Sequence, residues 1–238
     1  SRQNYVIIAH TKWIAHNFSP FLDLHPNTET RHRFKALAGV HTGGGLFAFA
    51  SADGIHWEKL QQTPVITSRE FAFDSQNVSF WDPARDCYVE FHRDSIYPDG
   101  VRYRQIMTCT SKDYRRWTKQ QLLDYGDAPL EHLYTNAVMS YPRAPQILIG
   151  FPTRLLPDQN SRVEPILMSS RDGRRFKRWP GAVISEDAPQ DRKGNRSNYM
   201  AWGLIPTPGN NREYSVYASE DYLRGPNTRL WRFTYRVD

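Results

Sequence analysis

The feature that most constrains the fold is a short turn motif that recurs along the chain. In each copy a serine is followed two residues later by an aspartate, and in three copies an aromatic residue follows four positions beyond. The serines are Ser51, Ser111, Ser170 and Ser219, at spacings of 60, 59 and 49 residues. This pattern predicts a strand that ends in a tight turn capped by the aspartate. Four copies predict a β-propeller, whose four-stranded sheets repeat as blades.

The rest of the chain also has the pattern of short strands separated by turns. The predicted strands are rich in β-branched and aromatic residues and are bounded by Gly, Pro, Asp or Asn. They are 34–40, 46–51, 77–81, 87–92, 102–110, 135–141, 146–151, 166–170, 198–205, 213–218 and 230–237. No segment has a sustained helical stripe, and aromatic residues make up 13% of the chain, which favours strands. We therefore predict an all-β fold.

The repeats also predict how the chain is organised. We expect a single β-propeller domain over residues 1–238, with enough apolar residues (39%) to bury a core. Residues 4–9 have the pattern of the last strand of an earlier blade, so we expect a five-bladed type. The fifth blade would be incomplete or closed by both termini, and part of a blade would be missing at one or both ends. No run of about 18 apolar residues predicts a membrane span.

A second repeat lies out of phase with the turn motif. Clusters of polar and aromatic residues precede the predicted innermost strands, at 16–23, 73–77, 131–136 and 196–202. In a propeller the innermost strands begin at the central funnel, so residues at these positions would converge on one pocket. Any single cluster is better explained by Asp and Asn capping a turn. Because four clusters share one phase, we predict a common functional site.

Charge bears on the possible ligands. The formal net charge is +6, and 24 of the 31 basic residues are arginine. Arginine binds carboxylate, sulfate or phosphate in a bidentate manner, although a solvated basic surface explains the same composition. Charge alone does not indicate nucleic-acid binding. The eight histidines lack metal-ligand spacing, so no cofactor is expected, and a structural calcium ion is the one metal left open.

The two cysteines flank a predicted hairpin. With a turn centred near residue 98, Cys87 and Cys109 would lie opposite each other on antiparallel strands. They would then either form a disulfide or remain two separate buried thiols.

Several of these segments resemble bacterial proteins, abundant in planctomycetes, that are related to glycoside hydrolase families 32 and 43. The resemblance covers nearly the whole chain and is carried by residues 16–23, 33–39, 51–57, 73–77 and 131–136. It implies a five-bladed propeller that hydrolyses glycosidic bonds in an oligo- or polysaccharide. We also expect a periplasmic or secreted location.

The resemblance further implies that three funnel carboxylates act together. One is the nucleophile or base, one orients the sugar and stabilises the transition state, and one is the acid. In this chain Asp23, Asp74 and Glu131 occur in that order. The Asn-Asp-Pro-Asn-Gly and Arg-Asp-Pro signatures of family 32 are absent, and His132 stands where that family has Cys. If an earlier blade carries the first carboxylate, Asp23 takes the orienting role.

The chemistry of glycosidic cleavage also requires more than one carboxyl group, because it needs a proton donor and a second carboxylate. Glu131 lies between Leu130 and Leu133, so we expect apolar surroundings that suit an acid. Asp74 precedes a polar stretch whose donors could bond a carboxylate. Candidates for binding the sugar are Asn17, Gln76, Asn77, Arg93, His132, Tyr134, Arg154, Asn198 and Trp202.

We therefore predict a glycoside hydrolase whose substrate is neutral or anionic. A non-catalytic propeller that binds glycan or protein is the first alternative, since a fold does not fix a function. A sialidase-like enzyme is the second, because the turn motif approaches the Asp-box of sialidases. The candidate residues also have structural alternatives, as turn caps, surface arginines or core aromatics.

Overall fold

The computed structural model describes residues 13–69, 71–185, 198–220 and 229–237. The chain divides into two compact units, Ser1–Leu123 and Asp124–Asp238. Unit 1 contains two antiparallel sheets whose strands follow chain order. The first sheet consists of β1 (Ser19–Leu22), β2 (Phe34–Val40), β3 (Gly45–Ser51) and β4 (Glu58–Lys59). The second consists of β5 (Val78–Asp82), β6 (Cys87–Ile96), β7 (Tyr103–Ser111) and β8 (Gln121–Leu122).

Unit 2 also contains two sheets. The third sheet consists of β9 (His132–Leu133), β10 (Met139–Tyr141), β11 (Ala144–Gly150), β12 (Thr153–Leu156), β13 (Arg162–Ser170) and β14 (Phe176–Ala182). The fourth consists of β15 (Tyr199–Met200), β16 (Ile205–Thr207), β17 (Asn210–Glu220) and β18 (Arg229–Arg236). The described helices are three short 3-10 turns, Thr30–His32, His41–Gly43 and Pro98–Gly100. No helix in the described ranges is long and apolar enough to cross a membrane.

The third sheet has six strands but four strand positions, because its two inner positions are interrupted. β11 and β12 both pair with β13, at its two ends, and Pro152 separates them because proline donates no ladder hydrogen bond. β9 and β10 pair with β12 and β11 respectively. The break between them contains Ala137 at a φ of 41°. The sheet is therefore one four-position blade with a kinked inner edge.

The fourth sheet has three strand positions among the described residues. β15 and β16 both pair with β17, and β18 pairs along nearly the whole of β17. This arrangement agrees with the short spacing of 49 residues before Ser219, which is about ten residues less than the other spacings. Ten residues is about the length of one strand and its turn.

Side-chain hydrogen bonds close the turn after the third strand of a blade. Ser51 Oγ accepts the N–H groups of Asp53 and Gly54, and Asp53 Oδ1 accepts those of Ile55 and His56. The same bonds recur after Ser111 and after Ser170. The residue after each aspartate has a positive φ, 76° and 83° at the two glycines and 62° at Tyr114. The fourth copy begins at Ser219, but its Asp221 lies outside the described residues.

These bonds also fix the ionisation of the turn aspartates. Burial by itself raises the pKa of Asp113, but the N–H groups of Arg116 and Arg115 and two side-chain bonds lower it to about 2. The aspartates are therefore charged caps, since a carboxylate that accepts several N–H bonds is stabilised in its ionised form.

Each unit buries its own apolar side chains. In unit 1, Ala36 and Ala38 of β2 pack with Phe47 and Phe49 of β3, and Trp57 from the first turn packs against them. In unit 2, residues from the third and fourth sheets share one cluster, which includes Met139, Phe151, Met200 and Val216.

The all-β prediction is confirmed, and the sheets are the blades of a β-propeller. The prediction of five blades is wrong, because the described residues form four. Residues 4–9, predicted as the last strand of an earlier blade, lie outside the described residues.

Of the two alternatives for the cysteines, the structure shows two separate buried thiols and no disulfide. Ile96 pairs with Tyr103 across the hairpin, so the turn is centred beyond residue 98. Cys109 therefore lies opposite Glu90, three residues from Cys87. Because side chains alternate between the two faces of a strand, the two thiols point to opposite faces of the sheet.

Two glycines allow other backbone segments to approach β2 and β3 closely. Gly39 has a φ of 134°, and a Cβ there would lie 2.1 Å from the carbonyl oxygen of Gly45. Gly45 has a φ of 132°, and a Cβ there would lie 2.3 Å from the oxygen of Ile66. Both positions thus require glycine for conformation and for space.

We expect Gly39→Ala to lower the free energy of unfolding by about 3 kcal/mol, because it adds backbone strain and a backbone clash. The matched control is Gly181→Ala in β14, where a Cβ meets no atom within 4 Å and a change within about 0.5 kcal/mol is expected. Urea unfolding measures both. Equal unfolding midpoints for the two variants would contradict the role given to Gly39.

Candidate functional site

In unit 1, a carboxylate is held at the point where the first two blades begin. Asp74 precedes β5 and accepts a hydrogen bond from His16 Nε2 at 3.2 Å and one from Arg93 Nη2 at 3.1 Å. Its side chain remains 60% exposed, whereas that of Arg93 is 5% exposed. Asp74 is therefore an oriented carboxylate that solvent can reach.

The segment that carries Asp74 is fixed by its backbone. Phe73 has a φ of 67° and is fully buried against the ring of His92. Its carbonyl oxygen accepts the side-chain amides of Asn17 and Asn77, each at 3.1 Å. Two of the four predicted sugar-binding amides therefore bond the backbone beside Asp74. Asn77 is fully buried, whereas Asn17 is partly exposed.

In unit 2, Glu131 precedes β9 and lies between two guanidinium groups. Arg154 Nη1 donates to its Oε1 at 2.9 Å, and Arg178 Nη1 lies 3.3 Å from its Oε2. Arg154 also bonds Glu164 and, at 2.8 Å, the carbonyl oxygen of Pro180. Burial by itself lowers the pKa of Arg154, but its bonds to Glu164 and Glu131 raise it overall.

The surroundings of Glu131 differ from those predicted. The sequence predicted apolar neighbours, but the carboxylate faces arginines, while Leu130 is 46% exposed and Leu133 is fully buried in the strand that follows. The reason is that β14 brings Arg178 to this carboxylate, and β14 is far away in the sequence.

The second and third blades share one arrangement of charged side chains. In each, a carboxylate before the first strand is bonded by an arginine from the second strand position, Arg93 or Arg154.

The remaining candidates in unit 2 lie at the starts of the third and fourth blades. Tyr134 and Tyr199 form an edge-to-face ring contact at 6.1 Å. The indole N–H of Trp202 donates to the carbonyl of Val138 at 2.6 Å, and its side chain is exposed. Asn198 is buried and donates to Ser185 O at 3.4 Å. His132 belongs to β9 and is partly buried, as is Gln76 in unit 1.

Asp23 does not share the position of the other carboxylates, because it follows β1 instead of preceding it. Its side chain has no exposed surface. It accepts bonds from Thr28 Oγ1 at 2.5 Å, from Tyr88 OH at 2.8 Å, from the N–H of His25 at 2.9 Å, and from Lys35. Burial by itself raises the pKa of Asp23, but the bonds from Lys35, Thr28 and His25 lower it overall.

Asp23 and Asp74 each bond a residue of strand β6, and the separation of those two residues can be read along the strand. Asp23 bonds Tyr88, near the start of β6, and Asp74 bonds Arg93, five residues further on. At about 3.3 Å per residue these anchors are roughly 16 Å apart, and they lie on opposite faces of the strand. The structure thus brings Asp74 together with His16 and Arg93, but not with Asp23.

The sequence analysis missed three residues that contact the candidate carboxylates. His16 could have been found, because it belongs to the polar cluster before β1. Lys35 and Arg178 carry no local signal, since each reaches its carboxylate from a strand that is paired by tertiary structure. Among the described residues, no three His, Cys, Asp or Glu side chains are grouped so that they could hold a metal ion.

Known structures share this fold. A thermostable family-43 glycoside hydrolase is 12% identical, with a TM-score of 0.62 over 94% of this chain and 74% of its own. A family-32 β-fructofuranosidase of Bombyx mori is 12% identical, with a TM-score of 0.57 over 86% of this chain and 44% of its own. A β-1,2-mannobiose phosphorylase from Listeria innocua is also 12% identical, with a TM-score of 0.55 over 86% and 54%.

At this identity these likenesses show the fold, which is the β-propeller that these glycoside-processing proteins share. No protein-family model matches the chain, and no curated protein matches it either.

We expect Asp23→Asn to lower the free energy of unfolding by about 3 kcal/mol, because it leaves Lys35 without its buried counter-ion. The pKa of Asp23 is lowered on folding, so its contribution is complete above its unfolded pKa of about 4 and is lost as the pH falls below that value. The difference in stability between wild type and variant should therefore shrink below about pH 4. Urea unfolding from pH 7 to pH 2 measures it.

The control is Asp86→Asn, which removes an exposed carboxylate paired with Lys112 on the β5–β6 turn. It should leave the unfolding midpoint almost unchanged. A stability difference for Asp23→Asn that persisted at low pH would contradict the role of the ionised pair.

Proposed function

We propose that this protein is a carbohydrate-active enzyme that cleaves a glycosidic bond. The observation that carries the proposal is Asp74, an accessible carboxylate that Arg93 and His16 orient at the start of a propeller blade. The solved structures of similar fold include glycoside hydrolases and a phosphorylase. The substrate class proposed is an oligo- or polysaccharide.

Asp74 is assigned the role of nucleophile, base or transition-state stabiliser. A positively charged or developing oxocarbenium centre is stabilised by a carboxylate whose position is already fixed. Arg93 and His16 supply that fixed position, and exposure of the carboxylate lets a sugar reach it. Arg93 is therefore a positioning residue in this proposal, because its guanidinium is buried and bonds Asp74.

Glu131 is assigned the role of acid, which requires a change in its contacts. Arg154 donates a hydrogen bond to Oε1, and Arg178 forms an ion pair with Oε2, so proton transfer to a leaving group requires Arg154 to release Oε1. Glu164 can retain Arg154 when that happens, because it already bonds the same guanidinium.

The second candidate function is glycan binding without catalysis, and the ion pairs of Glu131 favour it. A carboxylate that remains ion-paired with two arginines accepts sugar hydroxyls but does not donate a proton. In that case the exposed carboxylate of Asp74 would accept hydroxyl groups of the glycan, and no bond would be cleaved.

We expect Asp74→Asn to lower kcat on every glycoside by about 10²–10⁴-fold, because it removes the charge that any of the assigned roles needs. Asp86→Asn removes an aspartate of the same blade and should leave kcat unchanged. Product release should be assayed with and without inorganic phosphate, since a phosphorylase shares the fold. An active Asp74→Asn variant would refute the assignment.

We expect Glu131→Gln to slow substrates with poor leaving groups by about 10²–10⁴-fold and aryl glycosides much less, because an aryl group needs little protonation. Asp158→Asn is the matched control, since it removes an exposed carboxylate on the turn between β12 and β13 of the same blade and should slow neither substrate type. Steady-state kinetics on a paired aryl and alkyl glycoside measures the contrast. Equal slowing of both substrates by Glu131→Gln, with folding intact, would show that Glu131 is not the acid.

A further inference from the structure

Unit 1 contains a cavity of about 910 Å³ that none of the candidate carboxylates lines. Three segments form its wall: the connection from the first blade to the second at 65–69, the end of β6 with the residue after it at 94–97, and the connection from β7 to β8 at 117–120. A volume of this size is typical of a small-molecule site. Gln120 Nε2 joins two of the segments by donating to Thr67 O at 2.7 Å.

Trp117 distinguishes this wall from the same turn in the first blade. In the first blade the indole N–H of Trp57 donates to the carbonyl of Gly54 at 3.0 Å. In the second blade Tyr114 replaces that glycine, and its ring contacts Trp117 edge-to-face at 5.4 Å. Trp117 Nε1 is shielded from solvent and has no hydrogen-bond partner within the described part of the chain.

An unpaired indole N–H is costly, so its presence needs an explanation. Trp117 is one of the residues that line the cavity. Tyr97, which is 50% exposed, adds a second aromatic ring to the wall. Two aromatic rings with polar groups between them are suited to a sugar, whose C–H faces stack on rings while its hydroxyls hydrogen-bond.

The charges of the wall favour an acidic ligand. Asp94 is buried, and its two oxygens already accept bonds from Ser68 Oγ and from the N–H of Ser95. Lys119 and Arg69 are exposed on the same wall, and neither forms an ion pair with a described residue. The cations are therefore available to a ligand, whereas the carboxylate is satisfied within the protein.

We propose that this cavity is a binding site for an acidic sugar unit, a hexuronate within an oligosaccharide. Its carboxylate pairs with Lys119 and Arg69, its ring lies against Tyr97 and Trp117, and an oxygen accepts the indole N–H of Trp117. The site does not depend on the proposed catalytic role of Asp74, because it binds without turnover.

The test is calorimetric titration of the full chain with trigalacturonate and triglucuronate, each compared with its neutral methyl ester. We expect at least one acid to bind and its ester to bind about tenfold more weakly, since the ester cannot form a charge-assisted bond. Lys119→Gln should weaken binding of the acid by about tenfold and leave binding of the ester unchanged. Lys59→Gln, which changes a lysine outside the cavity, should alter neither.

Trp117→Phe keeps a ring but removes the indole N–H, and we expect it to weaken binding about fivefold. Trp57→Phe removes the equivalent indole of the first blade, whose N–H already has a partner, and should leave affinity unchanged. Ligand-induced change in tryptophan fluorescence should disappear in Trp117→Phe and persist in Trp57→Phe.

The proposal would be overturned by no binding of either acid, by equal binding of acid and ester, or by equal affinity in Lys119→Gln and wild type. Binding of inorganic sulfate as tight as that of the oligomers would reduce the site to a simple anion site and would also overturn it. Asp74→Asn should bind the acid like wild type. A negative result for sugar binding at the cavity can therefore be distinguished from a negative result for glycosidase activity.

Discussion

The turn after the third strand of each blade is the interaction on which the rest of the structure depends. Ser51, Ser111 and Ser170 and their paired aspartates accept backbone N–H groups that no strand can reach. An unpaired donor at such a turn would cost about 1–3 kcal/mol. Because the side chains that satisfy these donors come from the turn itself, each turn forms locally and directs the chain into the outer strand of its blade.

Ion pairs fix the segments that precede the first strands of the second and third blades. In the second and third blades an arginine from the second strand position reaches back to a carboxylate that precedes the first strand. Arg93 bonds Asp74 in this way, and Arg154 bonds Glu131. The two sites differ in access, because Asp74 is 60% exposed and Glu131 is 23% exposed. The same structural device therefore presents one carboxylate to solvent and shields the other.

The prediction from sequence succeeded where a signal was local and failed where it depended on register. Phe34–Val40 was predicted with its observed bounds, because it is apolar and ends at a glycine-rich turn. The expectation that Cys87 lies opposite Cys109 was wrong, because a shift of the hairpin turn by little more than one residue moves one thiol to the other face. Asp23 was placed with Asp74 because both lie in polar clusters, but they occupy opposite ends of their strands.

The sequence by itself determined the all-β fold, the repeat of the blades and the turns between their outer strands. Those features depend on hydrogen bonds and strand preferences that act within a few residues. Tertiary structure alone decided which cation meets each carboxylate. Lys35, Arg93 and Arg178 reach Asp23, Asp74 and Glu131 across 12, 19 and 47 residues of sequence. Such contacts depend on the pairing of strands, so a pattern of neighbouring residues cannot specify them.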